Sequence, residues 1–216
     1  PAGSPLPLAS LGAKDLYYSA TRPGAPAGAG EGAAPAGEEV AAAAGLRYRI
    51  LRRAPDGAAV EVDADTVFRS GDRIRFAFEP NVDGFLYVIQ RGSTGRWSVL
   101  LPHPQIAGGR NAVTRFAEVT VPSGGWFRFD ENPGSEEVFV YLSREPIRTL
   151  PWGGGAVVSA QFVEQPTVIE LANSVRTRDL VFEKEDAPDD PERAAYVVNQ
   201  DAVGHAVAWT VELQHR

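Results

Sequence analysis

Three histidines, His103, His205 and His215, are the first residues to test for chemistry. None stands in a spacing that puts two ring nitrogens on one strand or helix, as H-x-H or H-E-x-x-H would. His103 lies between Pro102 and Pro104, and His215 is one residue from the last. A Ser–His–Asp site needs no adjacency in sequence, but no serine has the G-x-S-x-G context that presents a nucleophile on a strand-to-helix elbow. Gly92-Ser93-Thr94-Gly95 reads instead as a hairpin turn. Trp152-Gly153-Gly154-Gly155 lacks the Lys and Ser/Thr of a phosphate loop, and Ala156–Val163 after it reads as a strand. Carboxylates gather at Asp63-Ala64-Asp65 and in Glu183–Glu192, EKEDAPDDPE, without the spacing of an EF-hand loop. Two prolines make the second stretch a solvated loop, with a weak calcium site as the alternative. Trp126, Tyr141 and Trp152 would suit a sugar platform, yet aromatics at strand period are core residues first. We therefore expect no catalytic residue, no metal and no cofactor.

The composition points the same way. The chain has 216 residues, no Cys and a formal net charge of −7. The missing Cys excludes disulfides, thiolate metal sites and a cysteine nucleophile. The acidic balance argues against nucleic acid, whose binders carry a basic stripe. No apolar run approaches the roughly 20 residues of a membrane-spanning helix. With no Met and Pro1 in first place, we expect a processed N-terminus.

The elements that would position any site are short and alternating. Leu46, Tyr48 and Ile50 share a face opposite Arg47 and Arg49. Ile74, Phe76 and Phe78 do the same within Arg73–Glu79, as do Val207, Trp209, Val211 and Leu213 near the end. This is the period of half-buried strands. Phe85–Gln90 is apolar on both faces and reads as a central strand, joined to Trp97–Leu101 by the Gly92–Gly95 turn. Pro55-Asp56-Gly57 and Ser70-Gly71-Asp72 are turns, with Gly available for φ > 0. Further strands are expected at Val60–Val62, Glu118–Val121, Trp126–Phe129, Glu137–Ser143, Val157–Val163, Asp179–Glu183 and Ala195–Val198. One helix is expected near 167–175, where Thr167 and Glu170 fit a capping box. The fold class is all-β: an antiparallel β-sandwich, immunoglobulin-like or Greek-key, of about 9–11 short strands.

Part of this pattern resembles a known family. Ser70-Gly71-Asp72-Arg73-Ile74-Arg75-Phe76, then Glu79–Gly92, is similar to the bacterial domain of unknown function 4384. Trp97–Pro102, Val121-Pro122-Ser123 and Glu137–Arg144 continue the likeness, which is weaker towards the C-terminus. The resemblance implies a bacterial, often envelope-associated, β-rich domain. It brings no agreed activity and no catalytic residue.

The first 45 residues differ in kind. Residues 22–45 are almost wholly Ala, Gly, Pro and Glu. Such a stretch buries too little apolar surface to offset its ordering entropy and reads as a linker. Before it stand Leu16, Tyr17 and Tyr18, three large side chains in a row. The expected division is a docking arm at 1–21, a linker at 22–45 and the β-sandwich at 46–216. At about 3.3 Å per extended residue the arm reaches on the order of 150 Å. We expect Leu16, Tyr17 and Tyr18 to be an assembly interface, with the arm added as a strand to the sheet edge of a neighbouring copy. A head-to-tail contact of this kind does not close and builds a filament. The expected function is thus a non-enzymatic, self-assembling structural protein, secreted or at the bacterial cell surface. The alternative is a monomeric ligand- or peptide-binding module of the envelope, with the arm as a tether.

Overall fold

The structure is a computed structural model that describes residues 12–19, 43–103, 109–147, 168–169, 180–185, 193–200 and 206–216. The described residues form one helix, α1 (Ala13–Ser19), and thirteen strands. These are β1 (Gly45–Arg53), β2 (Ala59–Val62), β3 (Val67–Phe68), β4 (Arg73–Pro80), β5 (Gly84–Arg91) and β6 (Trp97–Leu101). Then come β7 (Ala112–Val113), β8 (Val119–Val121), β9 (Phe127–Arg128), β10 (Gly134–Ser143), β11 (Leu180–Lys184), β12 (Ala195–Asn199) and β13 (Ala206–His215).

They make two sheets. The first runs β11-β12-β1-β4-β8, with β2 beside the second half of β1 and β9 beside the start of β4. The second runs β3-β13-β10-β5-β6, with β7 beside the start of β5. The inward faces are those the alternation marks. Leu46, Tyr48 and Ile50 of β1 and Ile74, Phe76 and Phe78 of β4 share one core with Leu86, Val88, Val140 and Val211 of the opposite sheet. β5 is flanked by β10 on one side and β6 on the other, the central place its two apolar faces require.

The turns form as their residues dictate. Gly57 N–H donates to Ala54 O at 2.9 Å, and Gly57 has φ 90°. Gly95 N–H donates to Gly92 O at 2.8 Å and closes the β5–β6 hairpin. Two strands fall outside the expected set: β3 and β7, each of two residues. Two residues are too few to display a period. One pair is parallel rather than antiparallel, β3 against the end of β13. The strand expected at 157–163 lies outside the described residues, and so does most of the helix expected at 167–175, of which Val168 and Ile169 are helical. Among the described residues no helix is long and apolar enough to cross a membrane.

Apolar residues also sit on the outward faces. Tyr87, Ile89, Val99 and Phe139 form a cluster with Val168 on the far side of the second sheet. Ala194, Tyr196 and Val198 form another with Ala13, Leu16 and Tyr17 on the far side of the first. A two-faced apolar strand needs cover on both faces, and each sheet has it.

Tyr48 shows how burial couples the core to pH. Only 5% exposed, with its ring 5.4 Å from Trp209, its phenol is pushed up to about 12 by burial. A group held protonated in the fold stabilises it fully below the unfolded value near 10, and that contribution is lost as pH rises through 12. Denaturant unfolding at pH 8 and pH 12 should therefore differ by about 2–3 kcal/mol on this account. The Tyr48→Phe variant should lessen the dependence by about that amount, and an equal slope in both proteins would contradict it.

Candidate functional site

Leu16, Tyr17 and Tyr18, expected as an extended strand, lie in α1. The reason is legible in the spacing. Ala13, Leu16 and Tyr17 stand at i, i+3 and i+4, which is one face of a helix, and all three are buried. Asp15 sits in the first turn, where the helix dipole favours an acid, and Leu16 N–H donates to Gly12 O at 3.0 Å. The helix covers the outer face of β12, with contacts to β1 and β11. The docking strand of the sequence reading is thus corrected at 13–19: the segment satisfies its backbone within a helix and lies on a sheet face of its own chain, not along an edge.

The seat is closely built. Leu16 is 1% and Tyr17 0% exposed. The Tyr17 hydroxyl lies 3.0 Å from the Glu79 carbonyl oxygen and 2.9 Å from Glu79 Oε1, so one proton serves two acceptors. Burial first, then the charge and hydrogen bond of Glu79, hold the phenol protonated far above its ordinary range. The ring meets Tyr196 edge-on at 5.4 Å and Phe116 at 5.8 Å. Tyr18, 36% exposed, stands with its hydroxyl 3.4 Å from that of Tyr196. Burial, then the bond to Tyr18, raises the Tyr196 phenol as well. Lys14 pairs with Glu185, and its N–H donates to Glu183 Oε2 at 3.0 Å. Beneath Tyr17, Gly45 is required: a Cβ there would stand 3.3 Å from the ring and 2.9 Å from Val198 Cγ2.

Asn81 joins the ends. Its Nδ2 donates to Tyr17 O at 3.2 Å and to Ala43 O at 3.0 Å, while its Oδ1 accepts from Gly45 N–H at 2.7 Å. One buried amide therefore holds the end of α1 beside the chain entering β1.

The residues tested for catalysis scatter. His215 is 3% exposed, lies with its ring tilted 45° against Phe129 at 5.1 Å and has its Nε2 3.3 Å from Ser70 Oγ. Among the described residues its buried Nδ1 has no hydrogen-bond partner, and none of them stands as the third member that orients a catalytic imidazole. His103 lies just after β6, and His205 lies outside the described residues. Ser93 is in the hairpin turn. Asp63 pairs with Arg193, and the acids of 186–192 lie outside the described residues. Among the described residues no three metal-ligating side chains group together. The Trp126 face is taken by the Arg75 guanidinium at 4.6 Å, Tyr141 is buried, and Trp152 lies outside the described residues.

Two concavities were not expected from the sequence. One, of about 240 Å³, opens between the sheets at the β5–β6 turn. Its floor is apolar, with Phe76, Leu100, Phe127 and Leu213, and Gln90 and Glu136 project into it. Burial pushes the Glu136 carboxyl above its ordinary range, against the opposing pull of the Gln90 amide, which donates to it, and of the His215 ring. No local motif announces this pocket, because its residues come from β4, β5, β6, β9, β10 and β13. The other concavity is an open cleft at the β1–β2 turn.

No curated protein and no solved structure matches the chain. Residues 67–146 match the model of a family described as Domain of unknown function (DUF4384), and it is this family's domain that the central run from β3 to β10 resembles.

Proposed function

We propose that the chain is a non-enzymatic ligand-binding module of the bacterial envelope, secreted or at the cell surface, with α1 as a latch closed on its own sheet. The observation that carries this reading is the inter-sheet pocket. It combines an apolar floor with a half-buried carboxyl and amide, the pattern of a small-molecule or peptide side-chain site. Its volume of about 240 Å³ suits a small amphipathic group. Amide NMR titration with small amphiphiles and short apolar peptides tests it. We expect shifts confined to Gln90, Glu136 and Val138, and their loss in Leu100→Trp, which fills the floor. A screen that moves none of these amides, or moves them equally in the filled variant, would sink the reading.

A second reading keeps the self-assembling structural protein. It is favoured by the separable seat of α1: a helix bound to its domain through 23 intervening residues, 20–42, could occupy the same seat on a neighbouring copy. The two readings part in sedimentation. A latched module runs as a monomer from micromolar to millimolar concentration. Large particles that vanish on deletion of residues 1–42 would instead favour exchange. Asn81 holds Tyr17 and Ala43 together, which raises the local concentration of α1 at its own seat and supports the monomer.

A further inference from the structure

Arg52, Arg53, Arg69 and Arg73 line the open cleft of about 730 Å³ where β1 turns into β2. Among the described residues, none of these four guanidinium groups meets a carboxylate, and neither does that of Arg128 beside them. The chain as a whole carries a net charge of −7, opposite in sign to this cluster of four arginines. Arg73 and Arg128 are moreover directly opposite across β4 and β9, an arrangement of like charges that destabilises a sheet unless an anion lies between them.

The cleft has two acids of its own, and each is engaged in shaping a turn. Asp56 Oδ1 accepts from Ala58 N–H at 3.0 Å, and Asp72 Oδ2 accepts from Arg69 N–H at 2.9 Å. The walls are held by backbone bonds as well. Ala54 N–H donates to Ala58 O at 2.8 Å on one side, and Gly71 N–H donates to Phe129 O at 2.9 Å on the other. Gly71 has φ 92°, which a side chain would strain. Arg52 and Arg53 end β1 and Arg73 begins β4, so these arginines are carried on paired strands beside fixed turns.

We infer that this cleft binds a compact polyvalent oxyanion carrying two or more phosphoryl groups. Each guanidinium offers a planar fork that matches two oxygens of one phosphoryl group. Four arginines line this opening, more than a single phosphoryl group can use, and a chain of such groups would extend from the cleft to Arg128, which faces Arg73. The cleft shares no lining residue with the inter-sheet pocket, which Arg128 lines. The same chemistry is presented by a free inorganic oligophosphate and by the diphosphate group of a larger ester.

Titration calorimetry of the full chain with inorganic triphosphate at low salt tests the inference. We expect one saturable site, weakened at least about tenfold in the double variant Arg53→Gln/Arg73→Gln, whose two residues share the outward face of the first sheet. The variant Arg110→Gln/Arg115→Gln removes the same charge from exposed positions elsewhere and should change Kd less than about twofold. Without ligand, Arg73→Gln should hold or raise the melting temperature, because it removes a repulsion. Should the double variant fail to fold, Arg73→Gln alone provides the same contrast. Absence of a saturable site in the wild type, or equal weakening in both double variants, overturns the inference. Pyrophosphate and a nucleoside diphosphate, compared as ligands, distinguish the sources: tighter binding of the ester points to a larger molecule, and equal binding to the free anion.

Discussion

Tyr17→Ala is expected to release α1 from the sheet and to lower the stability of that contact by about 3–5 kcal/mol, the range for emptying a fully buried aromatic site. Tyr17 has 0% exposure, shares its proton between two oxygens of Glu79 and touches the rings of Tyr196 and Phe116. Its removal leaves a cavity at the centre of the contact. It also bares the Tyr196 and Val198 side chains, which would then stand as an apolar patch on β12. Hydrogen exchange at the Leu16 amide, which α1 protects through Gly12 O, reports the release directly. The inter-sheet core should survive, because none of its members is in α1. Tyr17→Phe keeps the ring and loses only the hydroxyl, so its cost should be nearer 1 kcal/mol. Unchanged exchange at Leu16 in Tyr17→Ala would show that the seat is not what holds α1.

The second large effect is expected at Gly84. A Cβ built there would stand 2.3 Å from the Ser143 carbonyl oxygen and 3.1 Å from its carbon, both backbone atoms. Neither can rotate away. β5 and β10 are in register at Phe85 and Ser143, so the start of one strand would be driven from the end of the other. Gly84→Ala should cost about 2–3 kcal/mol as a case of overpacking against the main chain. Gly92 is the internal comparison. It lies in the same hairpin, has no heavy atom within 4 Å of a built Cβ, and does not adopt a positive φ. Gly92→Ala should be neutral or slightly stabilising, by up to about 1 kcal/mol through the unfolded chain. Urea midpoints of the two variants make the comparison, and similar midpoints would remove the steric account of Gly84.

How far the sequence carried depends on the scale of the signal. The inter-sheet core was legible because Ile74, Phe76 and Phe78, or Val207, Val211 and Leu213, repeat a face over many residues. The helix α1 was also written, at Ala13, Leu16 and Tyr17, but its three apolar positions overlap the contiguous run Leu16-Tyr17-Tyr18, which reads equally as a patch. The partner signal lay in Ala194–Val198. There Ala195 and Val197 face the core while Ala194, Tyr196 and Val198 face outward, so the outer face of β12 had to be covered by something. Only the three-dimensional register identifies what covers it. The two concavities were beyond sequence reading for a different reason. Gln90 and Glu136 meet because β5 lies beside β10, and Arg73 faces Arg128 because β9 folds back on β4. Strand order decides both, and no local pattern encodes strand order.

The Asn81 clasp has a consequence for how the N-terminal segment can be measured. One amide holds both Tyr17 O and Ala43 O, so the described residues on the two sides of 20–42 are tied to one side chain. A single cut within 20–42 would leave those hydrogen bonds of Asn81 in place. It would turn an intramolecular contact into a complex of two chains, a peptide ending beyond Ser19 and a receptor beginning before Ala43. The closure would then acquire a dissociation constant and an off-rate, where the intact chain has only an opening equilibrium. Comparing that constant with the opening equilibrium of the uncut protein gives the effective concentration that the tether supplies. The N-terminal helix is in this sense a peptide ligand that the chain delivers to itself.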